Sequence, residues 1–305
     1  MSDDVSMIVF DRALVRRRRD RAAAGFADHS FLVADVADRL CDRLLMIRRD
    51  FPRTLDLGCH HGATGRKAGQ VKRIESLVSC DLSPAMAARC DGLSLVADEE
   101  WLPFADGCFD LVISNLSLHW VNDLPGALIQ IRRVLRPDGF FLAAIMGGDT
   151  LSELRRSLVD AELTVSAGAS PRVSPFADLR DAGGLLQRAG FALPVADIET
   201  VTVTYPDMFR LMADLRGMGE TNSVLARSRR PARRALFLEA ARGYAERYAE
   251  SDGRITASFQ ILYLAGWSPH PGQQQPLRRG SATTRLADAL EKLTDQTEPR
   301  HGPLV

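Results

Sequence analysis

The sequence has no excess of either charge, because 39 lysine and arginine residues balance 39 aspartate and glutamate residues among 305. Dedicated nucleic-acid-binding domains carry a marked basic excess, so we predict no nucleic-acid partner. Long hydrophobic runs are also lacking: the longest, at 140–146, is far below the roughly 20 residues that a membrane-spanning helix needs. We therefore predict no transmembrane segment. The arginine run at 16–19 indicates a solvated helix face, with a patch for an acidic partner or a membrane surface as the alternative.

Cysteine and histidine lack the spacings of disulfide frameworks and metal sites. The five cysteines are odd in number and contain no C-x-x-C pair, which is typical of reduced thiols in a cytoplasmic protein. The six histidines show neither H-x-D nor H-E-x-x-H spacing. We therefore predict a cytoplasmic protein without a metal site. For a bacterial protein, peripheral contact with the inner membrane is the alternative location that we keep.

The distribution of apolar, polar and charged residues divides the chain into three parts. Residues 1–52 are predicted to form a helical region, because apolar residues recur every three or four positions through its second half. Residues 53–265 form the main domain, which includes a helical insertion at about 206–250. Residues 266–305 are rich in proline, glycine, glutamine and charge, which predicts a flexible tail.

Short apolar runs alternate with helix-length segments in the main domain. This alternation is typical of βαβ units, which build a parallel sheet covered by helices. The predicted strands lie at residues 54–57, 77–80, 93–97, 109–114, 140–145, 198–204 and 256–264. An insertion between the last two strands would lie over the carboxyl edge of the sheet, where ligands bind.

The first predicted strand runs into a glycine-bearing turn, in the segment LDLGCHHGATG at 55–65. Glycine permits a positive φ and a close approach to a ligand, and the helix that follows offers unpaired N–H groups to an anion. Asp56 ends the strand before the first glycine, where a carboxylate holds the turn and accepts from an ammonium group. An acid at this position would repel the phosphates of a dinucleotide.

The next two strands also end in acidic residues. Asp81 follows the second strand, where a carboxylate accepts from both hydroxyls of a ribose, and Asp98 follows the third, within reach of an adenine amine. Taken singly, each aspartate is more typical of a helix cap or a turn. Together with Asp56 they match the ammonium, ribose and adenine groups of S-adenosylmethionine, so we predict this cofactor.

Four segments resemble those of class I S-adenosylmethionine-dependent methyltransferases: LDLGCHHG, CDLSPAMAARC, ADEEWLPFADGCFDLVISNLSLHW and IRRVLRPDGFFL. The resemblance implies an enzyme with a doubly wound, Rossmann-like α/β fold, whose seven-stranded, mostly parallel sheet has one reversed strand. It also implies that the cofactor, from its methionine part to its adenine, contacts Asp56, Gly58, Gly62, Asp81, Leu82, Asp98, Glu99 and Asn115.

Further segments are similar to the complex I assembly factors of this superfamily, which occur in mitochondria and α-proteobacteria. They include FDRALVRRRRDRAA, YPDMFRLMADLRGMGE and GWSPHPGQQQPLRRGSA, so the similarity extends over about residues 8–284. It implies modification of a protein subunit of the respiratory quinone oxidoreductase, by methylation or by arginine hydroxylation. A looser similarity to the malonyl-carrier-protein O-methyltransferases of biotin synthesis leaves a small carboxylate or a carrier-bound acid as the alternative substrate.

One position departs from the superfamily pattern G-C-G-x-G, because His60 replaces its second glycine. A β-carbon and an imidazole at a position of close approach would clash with the cofactor, at a cost of about 1–3 kcal/mol. This departure keeps a third function open, that of a non-catalytic assembly chaperone.

The sequence predicts a substrate pocket but no catalytic residue. His119 and Trp120 follow the fourth strand at the carboxyl edge of the sheet. They are either packed core residues or pocket walls, with Trp120 stacking on a planar or cationic group. Methyl transfer to a carboxylate needs no base and depends mainly on alignment, so the lack of an acid–base pair does not argue against an enzyme.

Overall fold

Seven β-strands form one sheet in the computed structural model, which describes residues 8–165, 168–176 and 179–274. In chain order the strands are β1 (Arg53–Leu57), β2 (Ser76–Asp81), β3 (Leu93–Val96), β4 (Phe109–Asn115), β5 (Leu135–Met146), β6 (Ala192–Tyr205) and β7 (Ile255–Trp267). Their order across the sheet is β3-β2-β1-β4-β5-β7-β6. The chain therefore starts at the centre of the sheet, winds to one edge, and returns to build the other half.

Strand direction follows the predicted scheme. The pairs β1–β2, β2–β3, β1–β4 and β4–β5 are parallel. In this described sheet, β7 is the reversed strand, because it pairs antiparallel with both β5 and β6. Central parallel strands are covered on both faces, and all seven residues of β4 are buried. The prediction of a mostly parallel seven-stranded sheet with one reversed strand is confirmed.

Helices cover both faces of this sheet. They are α1 (Arg12–Ala22), α2 (Phe31–Leu45), α3 (Ala63–Val71), α4 (Pro84–Ala87), α5 (Leu124–Val134), α6 (Ser152–Val165), α7 (Leu179–Arg188), α8 (Met208–Gly217) and α9 (Arg234–Tyr248). Successive side chains of a strand point to opposite faces. Leu111 of β4 accordingly packs in one apolar cluster with Leu40 of α2, whereas Val112 packs in another with Ile131 of α5. This two-sided arrangement confirms the doubly wound α/β architecture.

The helical N-terminal region and the helical insertion both contribute to the core. Leu32, Val36, Leu40 and Leu44 form the buried face of α2. Helices α8 and α9 lie between β6 and β7, and the hydroxyl of Tyr244 in α9 donates to the carbonyl of Thr256 in β7 at 2.8 Å. In the described part of the chain, no helix has the length and apolar character to cross a membrane.

Two segments differ from their predicted form. The fifth strand, predicted at 140–145, begins at Leu135, directly after α5 ends at Val134, and residues 136–139 form an irregularity in its pairing with β4. Asp138 takes a φ of 64° there, which lets the strand continue after the irregularity. Strand β7 extends to Trp267, into the segment predicted as a tail, because its pairing with β5 and β6 continues that far. The rest of that prediction, from 275 onward, lies outside the described residues.

Candidate functional site

The carboxyl ends of β1, β2 and β4 and the segment after β3 bring several predicted cofactor residues together. Oδ2 of Asp81 accepts from the backbone N–H of His60 at 3.1 Å, and the His60 Nε2 lies 3.0 Å from the carbonyl oxygen of Asn115. Glu99 joins them because the Arg19 Nη1 lies 3.4 Å from both the Glu99 and the Asp81 carboxylates. We call Asp81, Glu99, Asn115 and His60 the strand-end cluster; all four residues are buried.

Asp56 holds the turn between β1 and α3 from a fully buried position. Its Oδ2 accepts from the backbone N–H of Gly65 at 3.0 Å, while its Oδ1 has no hydrogen-bond partner in the described part of the molecule. Burial raises the pKa of Asp56 to about 7, against the lowering effect of the Gly65 bond. Oδ1 is therefore the atom of this carboxyl that a ligand donor would use.

Gly58 and Gly62 are required by the turn itself. Their φ angles are 67° and 76°, in the left-handed region that favours glycine. A β-carbon on Gly58 would lie 2.1 Å from Oγ of Ser117, and one on Gly62 would lie 3.0 Å from Sγ of Cys90. A larger residue at Gly58 would overlap with Ser117, whereas one at Gly62 would require Cys90 to shift and would be strained by the positive φ.

The imidazole of His60 lies between the ends of β1 and β4. Its φ of 50° is in the region that costs a non-glycine residue energy. The ring stacks on Phe26 with centroids 5.3 Å apart, and its Nε2 contacts the carbonyl of Asn115. Burial, and then the nearby Arg19, lower the pKa of His60, so the ring is neutral and Nε2–H donates to that carbonyl. The replacement of glycine by His60 therefore fills space in the strand-end cluster.

Helix α1 places two arginines over the cluster. Arg12 and Arg19 are seven residues apart, which puts them on one face of the helix. Arg19 is 1% exposed and also donates from Nη2 to Oγ of Ser117 at 3.0 Å. Arg12 pairs with Asp98 at 2.6 Å and with Glu99. The prediction of a solvated helix face for the run 16–19 agrees with the exposed Arg16 and Arg17 and is wrong for Arg19, which is buried.

Glu99 is the acidic centre of these ion pairs. Burial alone would raise its pKa, but Arg12 and Arg19 lower it to about 2, so the side chain is ionised. The hydroxyl of Ser117 also donates to its Oε1 at 2.6 Å. Asp98, whose side chain is 35% exposed, pairs with Arg12 at the solvent-exposed edge of the site.

The remaining predicted cofactor residues make contacts within the protein. The side-chain amide of Asn115 donates to the carbonyl of Val33 at 2.8 Å and to Oγ1 of Thr64 at 3.0 Å. Leu82 is partly buried and packs on an apolar cluster that contains Trp120. The structure thus ties the end of β4 to α2 and α3, and the end of β2 to the region of Trp120.

The acidic groups of the site suit an adenosyl cofactor in their chemistry, but their surroundings are closed. Carboxylates such as Asp81 and Glu99 are the acceptors that ribose hydroxyls and an exocyclic amine require. Both carboxylates are paired with the Arg19 guanidinium, which occupies the space next to them. A nucleoside that used these carboxylates as acceptors would compete with Arg19 for them.

A cavity of about 810 Å³ lies beside this site, at the carboxyl ends of β4 and β5. Trp120, just after β4, and Met146, at the end of β5, line its wall, together with residues of α1, α6 and α8. The residues of the strand-end cluster are not among those that line it. We call this space the arginine cavity, after its lining residues Arg18, Arg21, Arg172, Arg216 and Arg227.

Glu220 connects the two predicted pocket residues. Its Oε2 accepts from Nε1 of Trp120 at 2.8 Å and lies 3.1 Å from Nε2 of His119. Glu220 lines the arginine cavity; burial opposes its ionisation, but His119 and Arg19 lower its pKa. Trp120 also lines the cavity, whereas His119 is not among its lining residues and packs on one of them, Phe176.

Sequence reasoning missed Arg12, Arg19 and Glu220. The seven-residue spacing of the two arginines is a helical signal that could have placed them on one face. Glu220 follows α8 in a short G-M-G-E segment that carries no such signal. Within the described residues, no group of three histidine, cysteine or acidic side chains is arranged to hold a metal ion.

Comparison with known proteins adds independent information. A family model described as "Methyltransferase domain" matches residues 55–143. The mitochondrial arginine-hydroxylase NDUFAF5 of Danio rerio is 43% identical over 293 residues, which cover 92% of this chain and 89% of the relative. The Homo sapiens protein of the same name is 42% identical over 298 residues, covering 95% and 86%.

Two further matches are more distant. The malonyl-acyl-carrier-protein O-methyltransferase of Gallionella capsiferriformans is 30% identical over 277 residues, covering 86% of this chain and 93% of the relative. The solved structure of the YcgJ protein from Bacillus subtilis superposes with a TM-score of 0.54 at 14% identity, covering 76% and 99% of the two chains. At that identity the superposition supports the fold alone.

Proposed function

The chain belongs to the S-adenosylmethionine-dependent methyltransferase family, together with the NDUFAF5 proteins, and from this membership we propose that it modifies a protein during assembly of respiratory complex I. The partner in this proposal is a subunit of the respiratory quinone oxidoreductase. The location is the cytoplasm, at the surface of the inner membrane. The modification is methylation or arginine hydroxylation.

One observation carries this proposal: the 43% identity with the Danio rerio NDUFAF5 protein extends over 92% of the chain. The matched family model covers only residues 55–143. Because the match covers 92% of the chain, it includes the insertion helix α8, which lines the arginine cavity. Similarity in this added element supports a shared substrate more strongly than similarity in the sheet would.

S-adenosylmethionine is the cofactor of this family, and when bound it supplies an activated methyl group. We propose that Asp81 and Glu99 hold its ribose and adenine face, with Asp98 at the rim. Asp56 Oδ1 would accept from its ammonium group. Arg19 competes for the same carboxylates, so release of Arg19 by α1 would accompany binding.

The test of the proposed function is mass spectrometry of the purified oxidoreductase from a strain that lacks this gene. We expect one peptide to lose the mass of a methylene group if the reaction is methylation, or of an oxygen atom if it is hydroxylation. Restoring the gene should restore that mass. Identical peptides with and without the gene would contradict modification of the complex.

His60→Gly should strengthen the binding of S-adenosylmethionine about tenfold, which corresponds to about 1.4 kcal/mol. The substitution removes the imidazole from between β1 and β4 and relieves the backbone at a φ of 50°. Isothermal titration calorimetry measures the affinity, with His61→Gly as the control because the neighbouring ring does not contact Asn115. Unchanged or weaker binding by His60→Gly would show that the imidazole does not obstruct the cofactor.

Two alternatives rest on specific observations. The arginine cavity and the 30% identity with a malonyl-acyl-carrier-protein O-methyltransferase favour a carboxylate substrate, small or carrier-bound. The ion pairs of Arg19 and the position of His60 favour a non-catalytic assembly chaperone. Absence of any calorimetric signal at about 1 mM S-adenosylmethionine, which corresponds to binding weaker than about −4 kcal/mol, would leave the chaperone as the remaining function.

A further inference from the structure

Two thiols meet beside the turn that follows β1. The Sγ atom of Cys59, in that turn, lies 3.3 Å from Sγ of Cys90, in the segment after α4. The other cysteines of the chain, Cys41, Cys80 and Cys108, have no such thiol neighbour in the described structure. The sulfurs of a disulfide are about 2.05 Å apart, so a movement of roughly 1.3 Å would join Cys59 to Cys90.

The two thiols differ in exposure and in acidity. Cys59 is 2% exposed, whereas Cys90 is only partly buried. The hydrogen bond with Cys59 lowers the pKa of Cys90, against the raising effect of burial, and the same bond together with burial raises the pKa of Cys59. The thiolate is the form of cysteine that attacks an electrophile. Cys90 is therefore the attacking thiol of this pair, and Cys59 is the thiol that reacts second.

Hydrogen peroxide is the oxidant that such a pair would meet. The thiolate of Cys90 attacks one peroxide oxygen and the O–O bond breaks, which leaves a sulfenic acid on Cys90 and releases hydroxide. The hydroxide takes up the proton that Cys90 lost on ionisation. The sulfur of Cys59 then attacks that of Cys90, the S–O bond breaks, and the second water leaves with the proton of Cys59. Two thiols are oxidised to one disulfide, and one peroxide is reduced to two waters.

The disulfide would tie together two segments that flank the proposed cofactor site. Cys59 directly precedes His60 in the turn between β1 and α3, and Cys90 ends the segment that begins after Asp81. Both sulfurs also lie near the carbonyl oxygen of His60, at 3.8 Å and 3.9 Å. A bond between them would therefore restrict the peptide group of His60.

Movement of this turn matters for cofactor binding because of where His60 lies. Its backbone N–H donates to Asp81, and its imidazole fills the space between the ends of β1 and β4. We expect the turn to shift when the cofactor enters. A turn that is covalently held at Cys90 has less freedom to do so.

We propose that Cys59 and Cys90 form a peroxide-reactive dithiol site, and that their disulfide weakens the binding of S-adenosylmethionine by fixing the turn that carries His60. The proposal rests on the cofactor of the proposed function and not on the protein that is modified. Disulfides of cytoplasmic proteins are typically transient and redox-sensing, so the pair is reduced until peroxide reaches it. Thiol–disulfide exchange with glutathione then returns it to the dithiol.

Peptide mapping of the full chain tests the chemistry. The reduced protein is treated with a small excess of hydrogen peroxide, its remaining thiols are blocked with N-ethylmaleimide, and it is digested with trypsin and a glutamate-specific protease. Cleavage after Glu99 and Glu100 separates Cys90 from Cys108. We expect two peptides that are joined through Cys59 and Cys90, lack two hydrogen atoms, and separate with dithiothreitol. Absence of this link, or equal oxidation of Cys108, would overturn the proposal.

Isothermal titration calorimetry of the reduced, oxidised and re-reduced protein measures the affinity for S-adenosylmethionine. We expect the disulfide to weaken binding at least about fivefold, the lower end of the coupling that is typical of two linked sites, and dithiothreitol to restore it. Cys90→Ser and Cys59→Ala should each bind equally well with and without peroxide. Cys108→Ser is the matched control, because it removes a partly buried thiol that has no sulfur neighbour, and it should respond as the wild type does. Circular dichroism confirms that the variants fold.

The two proposals can fail separately. An affinity that does not change when the disulfide forms would contradict this proposal alone, as would an equal response to peroxide in Cys90→Ser and the wild type. Absence of S-adenosylmethionine binding by the reduced protein would overturn the control of binding and the enzymatic function together. The masses of the oxidoreductase peptides do not enter these measurements.

Discussion

Arg19→Met should lower the free energy of unfolding by about 3–5 kcal/mol, the range found when one partner of a buried ion pair is removed. The substitution keeps an unbranched apolar stem but leaves the buried carboxylates of Asp81 and Glu99 without the guanidinium that they share. Urea-induced unfolding, followed by circular dichroism, measures the change.

The matched control is Arg17→Met, two positions away on the exposed side of α1. An exposed arginine contributes about 0–1 kcal/mol, so this variant should unfold close to the wild type. Equal losses in both variants would mean that Arg19 and its carboxylates contribute no more than surface charges do. Arg12 remains paired with Glu99 in both proteins, so the comparison isolates the contribution of Arg19.

Asp56→Asn should remove a pH dependence of stability that amounts to about 4 kcal/mol in the wild type. Burial raises the pKa of Asp56 from 3.8 in the unfolded chain to about 7 in the folded one. Below the unfolded pKa both states hold the proton, and this carboxyl does not disfavour folding. Between the two values only the folded state holds it, so stability falls as the pH rises; above about 7 the loss is complete and constant.

The experiment compares urea-induced unfolding of wild type and Asp56→Asn at a series of pH values from 4 to 8. The difference between their free energies of unfolding should shift steadily in favour of the variant until about pH 7 and then level off. The asparagine oxygen can still accept from the N–H of Gly65, so the turn between β1 and α3 is retained. A difference that stays constant with pH would show that the carboxyl is ionised in the folded protein throughout this range.

The sheet was predictable because each strand carries its own signal. Short apolar runs between helical segments identified all seven strands, and the glycine-rich turn after the first located the carboxyl edge. The extra length of β6, from Ala192 rather than from 198, carried a weaker signal. Its residues alternate between partly buried and exposed at the edge of the sheet, so the apolar pattern there is diluted.

The candidate site was predictable only in part. The order of Asp56, Asp81 and Asp98 along successive strands indicated where acidic groups would collect. What the sequence could not indicate is the partner of each acid, because Arg19 reaches Asp81 across 62 positions and Glu99 across 80. Contacts at that separation depend on how the whole N-terminal region packs, which local patterns do not encode.

Helix α1 has contacts in two directions: Arg12 and Arg19 on the strand-end cluster, and Arg18 and Arg21 in the arginine cavity. The eleven residues of α1 form one continuous helix, so a displacement of one of its faces also displaces the other. A ligand that moves Arg18 within the cavity should alter how readily Arg19 releases its carboxylates. Thermodynamic reciprocity then requires the nucleoside to alter the affinity for that ligand by the same factor, so that each ligand responds to the binding of the other.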